Sequence, residues 1–154
     1  MRVDRKAYKN NRYYRAIIDG NRADRPRQRK VNRALREVKK FCKTVSGALK
    51  PSYECRLETG GVSGEFSEYH IAVVDRSPYS YASRLFSIAS IRVHYQEGFP
   101  VEIISIHGEN FDLKFVANDK KELIEALCKL LQCTYVSLLL GTYMDRIRLE
   151  DQRA

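Results

Sequence analysis

The residues best suited to chemistry in this chain are the arginines, lysines and tyrosines concentrated in its N-terminal third. Guanidinium and ammonium groups bind phosphate oxygens, and a tyrosine ring can stack on an unpaired base. The candidate phosphate-binding residues are Arg2, Arg5, Lys6, Lys9, Arg12, Arg15, Arg22, Arg25, Arg27, Arg29, Lys30, Arg33, Arg36, Lys40 and Lys43. Tyr8, Tyr13 and Tyr14 are candidate base-stacking residues, although they could equally pack the N-terminal segment against the body.

The charge of the chain is divided between two regions. Residues 1–50 carry 17 Lys and Arg against 4 Asp and Glu, whereas residues 51–154 carry 11 against 15, so the net charges are +13 and −4. A cationic segment on a mildly acidic body suits a polyanion, and nucleic acid is the commonest such partner. The sequence has no zinc finger and no RNP aromatic motif, so we expect it to bind phosphates rather than to read bases.

Residues 1–26 are interpreted as a basic flexible arm, and residues 27–154 as a single α+β domain. The arm has too many charges and too few apolar residues to form a core, so we expect order there only on binding or docking. A helix over residues 4–18 would end at Asp19-Gly20-Asn21. It would place four cations on one face, namely Arg5, Lys9, Arg12 and Arg15.

The pattern of residues 27–49 predicts an amphipathic helix. Pro26 suits its start, and Gly47 and Pro51 suit its end. The apolar face, with a period of 3.6 residues, consists of Val31, Leu35, Val38, Cys42, Val45 and Leu49. The opposite face is cationic, with Arg29, Arg33, Arg36, Lys40 and Lys43. We expect the apolar face to pack on the body and the cationic face to bind the polyanionic partner.

The stretch from residue 52 to 117 predicts about five antiparallel strands joined by turns. Apolar and polar residues alternate within it, as they do in a half-buried strand. The glycine-rich run 60–64 is typical of a turn, and a change of apolar parity near Ile88 and Ala89 predicts a bulge.

The C-terminal part of the chain is predicted to be helical. Asp119 and Glu122 have the spacing of a capping box at the start of a helix. Residues 134–147 fit a second helix or a strand. The sequence therefore predicts an α+β fold with a basic N-terminal arm and amphipathic helix, about five antiparallel strands, and one or two C-terminal helices on one face.

Signs of catalysis and of cofactor binding are sparse. No P-loop, G-x-G-x-x-G, H-E-x-x-H or G-x-S-x-G motif occurs, so we assign no catalytic residue, no metal and no cofactor. The histidines His70, His94 and His107 are best explained as structural. The cysteines Cys42, Cys55, Cys128 and Cys133 lack metal-site spacing and are expected to be reduced and buried.

The order of parts resembles that of small phage-encoded anti-CRISPR proteins, in particular the broad-spectrum inhibitors of the nuclease Cas9. The features that carry the resemblance are the run Arg12-Tyr13-Tyr14-Arg15, the run Arg25-Pro26-Arg27-Gln28-Arg29-Lys30, and a helix through Leu35 and Phe41. The resemblance covers about half of the chain and transfers no individual functional residue. It implies a protein that blocks an RNA-guided nuclease by binding the nuclease, its guide RNA, or both.

The leading hypothesis from the sequence is a non-enzymatic protein that binds nucleic acid, with RNA favoured, or a ribonucleoprotein such as a guide-RNA-loaded nuclease. With no visible signal peptide or transmembrane segment, we expect a cytoplasmic protein, in the host cytoplasm if it is phage-encoded. One alternative is a small basic ribonuclease toxin that uses the three histidines with Arg, Tyr or Glu. Another is a protein–protein module whose arm binds an acidic partner surface.

Overall fold

A long amphipathic helix begins the part of the chain that the computed structural model describes, namely residues 12–76, 84–105 and 114–153. Helix α1 spans Arg12–Ala48, a length of 37 residues. Only its second half packs on the body, through the predicted apolar face from Val31 to Leu49. Between Arg12 and Lys30, every described side chain is exposed except that of Ile18, which is half-buried. The first half of α1 therefore projects beyond the body.

Five antiparallel strands follow, each hydrogen-bonded to the next along the chain. They are β1 (Tyr53–Ser63), β2 (Phe66–Asp75), β3 (Arg84–His94), β4 (Val101–Ile104) and β5 (Lys114–Ala117). The predicted bulge is confirmed, because Ile71 pairs with Ala89 and Ala72 pairs with Ser87, which leaves Ile88 as the extra residue of β3. Ile88 and Ala89 are consecutive and both fully buried, which explains the change of apolar parity in the sequence.

Two helices complete the fold, α2 (Lys120–Gln132) and α3 (Thr134–Arg153). Asp119 caps α2 as predicted, because its side chain accepts the Glu122 N–H at 2.9 Å. The Glu122 carboxylate accepts the N–H of Asn118, one residue before the cap, at 2.7 Å. The segment 134–147 is helix, not strand. The ring of Tyr143 on α3 lies 4.8 Å from that of Tyr53, centroid to centroid.

The hydrophobic core lies between the helices and one face of the sheet. The fully buried residues there are Leu49 just after α1, Ile91 and Ile103 of the sheet, and Leu123 and Leu130 of α2. A hydroxyl links α1 to β1: Ser46 Oγ accepts from the Cys55 N–H at 2.8 Å and donates to its carbonyl at 3.0 Å. The predicted α+β fold, with a five-stranded antiparallel sheet and C-terminal helices, is confirmed.

Two of the predicted boundaries in the N-terminal region are wrong. Helix α1 begins at Arg12 rather than at residue 27, and it continues through both Asp19-Gly20-Asn21 and Pro26. Most residues between Arg22 and Lys30 are Arg, Ala, Gln or Lys, which are strong helix formers and offset the local cost of glycine and proline. The arm residues before Arg12 lie outside the described part of the chain.

Two smaller predictions are also wrong. The run 60–64 is not a turn, because β1 continues to Ser63 and the turn is confined to Gly64 and Glu65. An irregularity in the β1–β2 register between Thr59 and Val62 accommodates one extra residue of this run within the ladder. Cys128, which we expected to be buried, is exposed on α2, whereas Cys42 and Cys55 are buried as expected, and all four cysteines are free thiols.

Candidate nucleic-acid interface

Eight basic side chains lie in one row along α1, on the side of the helix that faces away from the sheet. Successive members are three, four or seven residues apart, which keeps them within an arc of about 80° around the helix axis. This cationic stripe consists of Arg15, Arg22, Arg25, Arg29, Arg33, Arg36, Lys40 and Lys43, all exposed. At 1.5 Å per residue the stripe is about 42 Å long, with a cation about every 6 Å.

The stripe runs through both halves of α1, because the helix is continuous across Gly20 and Pro26. Arg15 to Arg29 belong to the projecting half, and Arg33 to Lys43 belong to the half that packs on the sheet. On the packed half the stripe lies opposite the buried side chains of Leu35 and Val38. The described part of the predicted arm and the predicted cationic helix face therefore form one continuous surface.

The point at which α1 leaves the body is fixed by the turn between β3 and β4. Gly98 in this turn has φ +77°, and a Cβ atom there would lie 2.5 Å from the Lys30 carbonyl oxygen. Glycine is therefore required both for the backbone conformation and for the close approach. Beside it, Lys30 Nζ donates to Glu97 at 2.5 Å, and this contact lowers the pKa of the Glu97 carboxyl.

Most cations of the stripe have no acidic partner within the part of the chain that the structure describes. Among the described residues no ion pair involves Arg22, Arg25, Arg29, Arg33, Arg36 or Lys43. Consecutive members three or four residues apart repel each other, which destabilises the helix in the absence of a counter-charge. A polyanion that lay along the stripe would remove this repulsion.

Near its C-terminal end the stripe continues onto α2. The carboxylate of Glu37, 8% exposed, receives Lys40 of the stripe at 3.1 Å and Lys120 of α2 at 3.5 Å. The hydrogen bond from Lys40, assisted by Lys120, holds the pKa of Glu37 below its ordinary value. The two lysines are thereby held side by side. Sequence reasoning missed Lys120, since only the structure brings the start of α2 next to α1.

Three other predicted phosphate-binding residues within the described part of the chain do not join the stripe. Arg27 lies on the opposite side of α1, Arg12 lies about a quarter turn away from the stripe, and Lys30 is paired with Glu97. Tyr13 is 81% exposed but also lies opposite the stripe, in line with the core-facing residues. The other candidates lie outside the described residues, or have side chains that do: Arg2, Arg5, Lys6, Lys9, Tyr8 and Tyr14.

The sheet face that points away from the helices has a different electrostatic character, and we call it the polar face. Arg92 lies between two carboxylates, 2.9 Å from Glu102 and 3.4 Å from Glu68. Lys114 contacts Glu102 at 3.0 Å, and Arg84 pairs with a further carboxylate. Cations on this face are therefore neutralised within the protein itself.

Two histidines of the alternative ribonuclease lie on this face but in separate places. His70 Nδ1 is 3.0 Å from Ser90 Oγ on the adjacent strand. His94 Nδ1 accepts the Glu97 N–H at 3.2 Å, and its Nε2 lies 3.5 Å from Glu65. They are four residues apart along the paired strands, about 13 Å. His107 lies outside the described residues.

The His94 ring is held in one tautomer by these contacts. Because Nδ1 accepts a backbone N–H, the ring proton sits on Nε2 and faces Glu65. The arrangement fits a structural histidine that fixes the β3–β4 turn, and within the described residues no second histidine lies beside it.

Within residues 12–76, 84–105 and 114–153, no group of three or more His, Cys, Asp or Glu side chains is placed to hold a metal ion. In the same residues no single helix is long and apolar enough to cross a membrane. Only α2 and α3 taken together, bent by 66° at their junction, reach the required length and composition.

Comparisons with known proteins found no match for this chain among protein-family models, curated proteins or solved structures.

Proposed function

We propose that this protein is a non-enzymatic nucleic-acid-binding protein whose principal contact surface is the cationic stripe of α1. The observation that carries the proposal is the row of exposed cations that lack acidic partners among the described residues. Six of its eight members have no ion pair there, while cations of the polar face do. Arginines that are already positioned and not neutralised bind phosphates at the lowest cost in rearrangement.

The physical consequence is binding that depends steeply on salt and weakly on sequence. Each phosphate that is neutralised releases condensed counterions, so the slope of log K against log salt reports the number of contacts. The polar face contributes little, because its guanidinium and ammonium groups are held by Glu68, Glu102 and neighbouring carboxylates. Catalysis is not part of the proposal.

The biological setting that we propose is cytoplasmic, with RNA or a ribonucleoprotein as the partner. An RNA-guided nuclease loaded with its guide is one such ribonucleoprotein, and it would be inhibited if α1 covered exposed guide phosphates. This setting follows from the charge and from the layout resemblance, and the binding role of the stripe does not depend on it.

The test is a salt titration of the full chain against labelled RNA and DNA by fluorescence anisotropy. The stripe variant changes Arg25, Arg29 and Arg33 to Ala, which preserves helix propensity. We expect the affinity to fall by about 100-fold, from about 1 kcal/mol for each contact, and the slope to fall by about 2 to 3.

The matched control changes three exposed cations outside the stripe to Ala, namely Arg27, Lys39 and Lys129. Its net charge equals that of the stripe variant, so any difference between them reports position rather than total charge. Equal loss in the two variants would contradict the proposal, as would the absence of salt-dependent binding by the unmodified protein. If a protein partner were instead retained after nuclease treatment and lost in the stripe variant, the surface would serve an acidic protein.

A further inference from the structure

We infer that the cationic stripe is a track for a single extended nucleic-acid strand and not for a duplex. This inference rests on the proposed function and deepens it. Its basis is the shape of the charge distribution: eight cations in an arc of about 80° along about 42 Å of helix, all facing one side. A ligand that uses the whole stripe must present a row of phosphates along a nearly straight line.

A duplex cannot present such a row. Each of its strands winds once around the axis in about 34–36 Å, which is shorter than the stripe. A straight row of cations laid along the duplex meets each strand only where that strand crosses it. We expect the row of cations to contact about four phosphates in total at these crossings, counting both strands.

Insertion of α1 into a groove is not favoured either. The major groove of B-DNA is about 12 Å wide, so an inserted helix has a phosphate backbone on each flank and needs cations on both. One flank of α1 carries Asn21, Gln28 and Asn32 with a single cation, Lys39. The other flank carries Asp19 and Glu37 beside Arg12 and the paired Lys30, so neither flank has a row of free cations among the described residues. The packed half of the helix is in addition covered by the sheet along its inner side.

A single strand has no such constraint, because it is flexible enough to run parallel to the helix. The spacing of about 6 Å between cations then allows about one phosphate contact for each stripe residue. Eight contacts at about −0.7 each give a salt slope near −5.6, and the six cations with no ion pair among the described residues give about −4.2 on their own. Both values are steeper than about −3.6 for four duplex contacts at about −0.9. The two modes of binding are therefore separable by measurement.

The geometry of the stripe also determines where the bases of a bound strand lie. No stripe position is aromatic, and Tyr13 lies on the other side of the helix. The stripe has no aromatic ring to stack on a base, and in the proposed mode its guanidinium groups contact phosphates rather than bases, so the bases of a bound strand face away from α1. We therefore expect homopolymers of different bases to bind with affinities within about threefold of each other.

The experiment uses the full chain and three labelled ligands of twelve nucleotides: oligo(dT), oligo(U) and a blunt DNA duplex. Anisotropy is measured across a salt series, and the single-strand length is then varied from four to sixteen nucleotides. The expected results are a steeper slope for both single strands than for the duplex, and an affinity that stops rising at about eight nucleotides.

Two variants two residues apart provide the sharpest control. Arg25→Glu reverses a charge on the stripe, and Arg27→Glu reverses a charge on the opposite side; both residues are exposed and flank Pro26. We expect Arg25→Glu to weaken single-strand binding at least tenfold and Arg27→Glu to weaken it less than twofold. Circular dichroism checks that both variants keep the same helix content.

A duplex slope equal to or steeper than the single-strand slope overturns the inference while leaving the proposed function in place. Equal effects of Arg25→Glu and Arg27→Glu also overturn it, because the stripe would then not be the track. If neither single strands nor duplex bind at low salt, the proposed function itself fails. Oligo(dT) and oligo(U) are separate arms, and their ratio identifies DNA or RNA as the natural strand.

Discussion

The cations of the stripe and those of the polar face are the same residue types in opposite situations. On the polar face Arg92 is 26% exposed and lies between Glu68 and Glu102. On the stripe Arg25, Arg29 and Arg33 are exposed, and no ion pair within the described residues involves them. The difference teaches that the total charge of +9 is a poor guide to binding, because only part of it is available to a partner. Carboxylates of the sheet engage the cations of the polar face, whereas most stripe cations have no such partner among the described residues, which is the basis of the proposed function.

The largest effect on the free energy of unfolding is expected at Gly98, where the β3–β4 turn contacts α1. Gly98→Ala forces a side chain onto a backbone with φ +77° and within 2.5 Å of the Lys30 carbonyl oxygen. We expect it to destabilise the protein by about 2–4 kcal/mol in urea unfolding, from strain and displacement of α1.

Gly61→Ala is the control for this change, since a Cβ atom there meets no atom within 4 Å. It should cost less than about 1 kcal/mol. Equal destabilisation by the two substitutions would show that the turn does not hold α1 in place.

A direct test of the comparison removes one cation from the polar face. Arg92→Gln leaves two partly buried carboxylates, Glu68 and Glu102, facing each other without the guanidinium between them. We expect a loss of about 1–2 kcal/mol in unfolding free energy and little change in nucleic-acid affinity. A large loss of affinity with unchanged stability would move the binding surface from α1 to the sheet.

The corresponding substitution on the stripe should raise the free energy of unfolding rather than lower it. Arg33→Gln removes the repulsion of Arg29 four residues before it and of Arg36 three residues after it. We expect the protein to gain about 0.4–1 kcal/mol in stability at low salt while its affinity for a single strand falls. The gain should disappear at high salt, where screening already removes the repulsion. Destabilisation by Arg33→Gln would mean that its guanidinium is satisfied within the protein.

The smallest effect concerns pH and the lysines beside Glu37. Its pKa in the folded protein is lowered, chiefly by the hydrogen bond from Lys40, so its stabilising contribution is present above the unfolded pKa. This contribution is lost as pH falls through the folded value, below the ordinary carboxyl pKa of about 4.5. We expect Glu37→Gln to make the acid limb of stability shallower than in the unmodified protein. Parallel acid limbs would show that the lysine contacts contribute nothing to folding.

Much of the fold could be predicted because its signals are local or periodic. The apolar face from Val31 to Leu49, the bulge at Ile88 and the capping box at Asp119 each follow from residue spacing. The start of α1 could not be predicted from the sequence, because Gly20 and Pro26 are both ordinary helix-breaking signals. Their effect is local, and the favourable propensity of the surrounding residues extends over several turns.

The candidate site was only partly foreseeable for the same reason. Its cations could be identified from composition, but their alignment depends on one helix keeping its phase from Arg15 to Lys43. Two shorter helices with a break at Asp19 would have pointed their charges in unrelated directions. The contribution of Lys120 depends on a contact between segments more than 80 residues apart, which no local pattern encodes.

The position of Gly98 also has a mechanical consequence for α1. The contact of Gly98 with Lys30 divides the helix into two segments of about 27 Å each: an inner segment that packs on the sheet and an outer segment that extends beyond it. If the proposed strand binding holds, a strand that contacts only Arg33 to Lys43 would exert no torque on the β3–β4 turn, whereas one that reaches Arg15 would pull on the outer segment with the turn as its fulcrum. Ligand length would then decide whether binding changes the stability of the sheet.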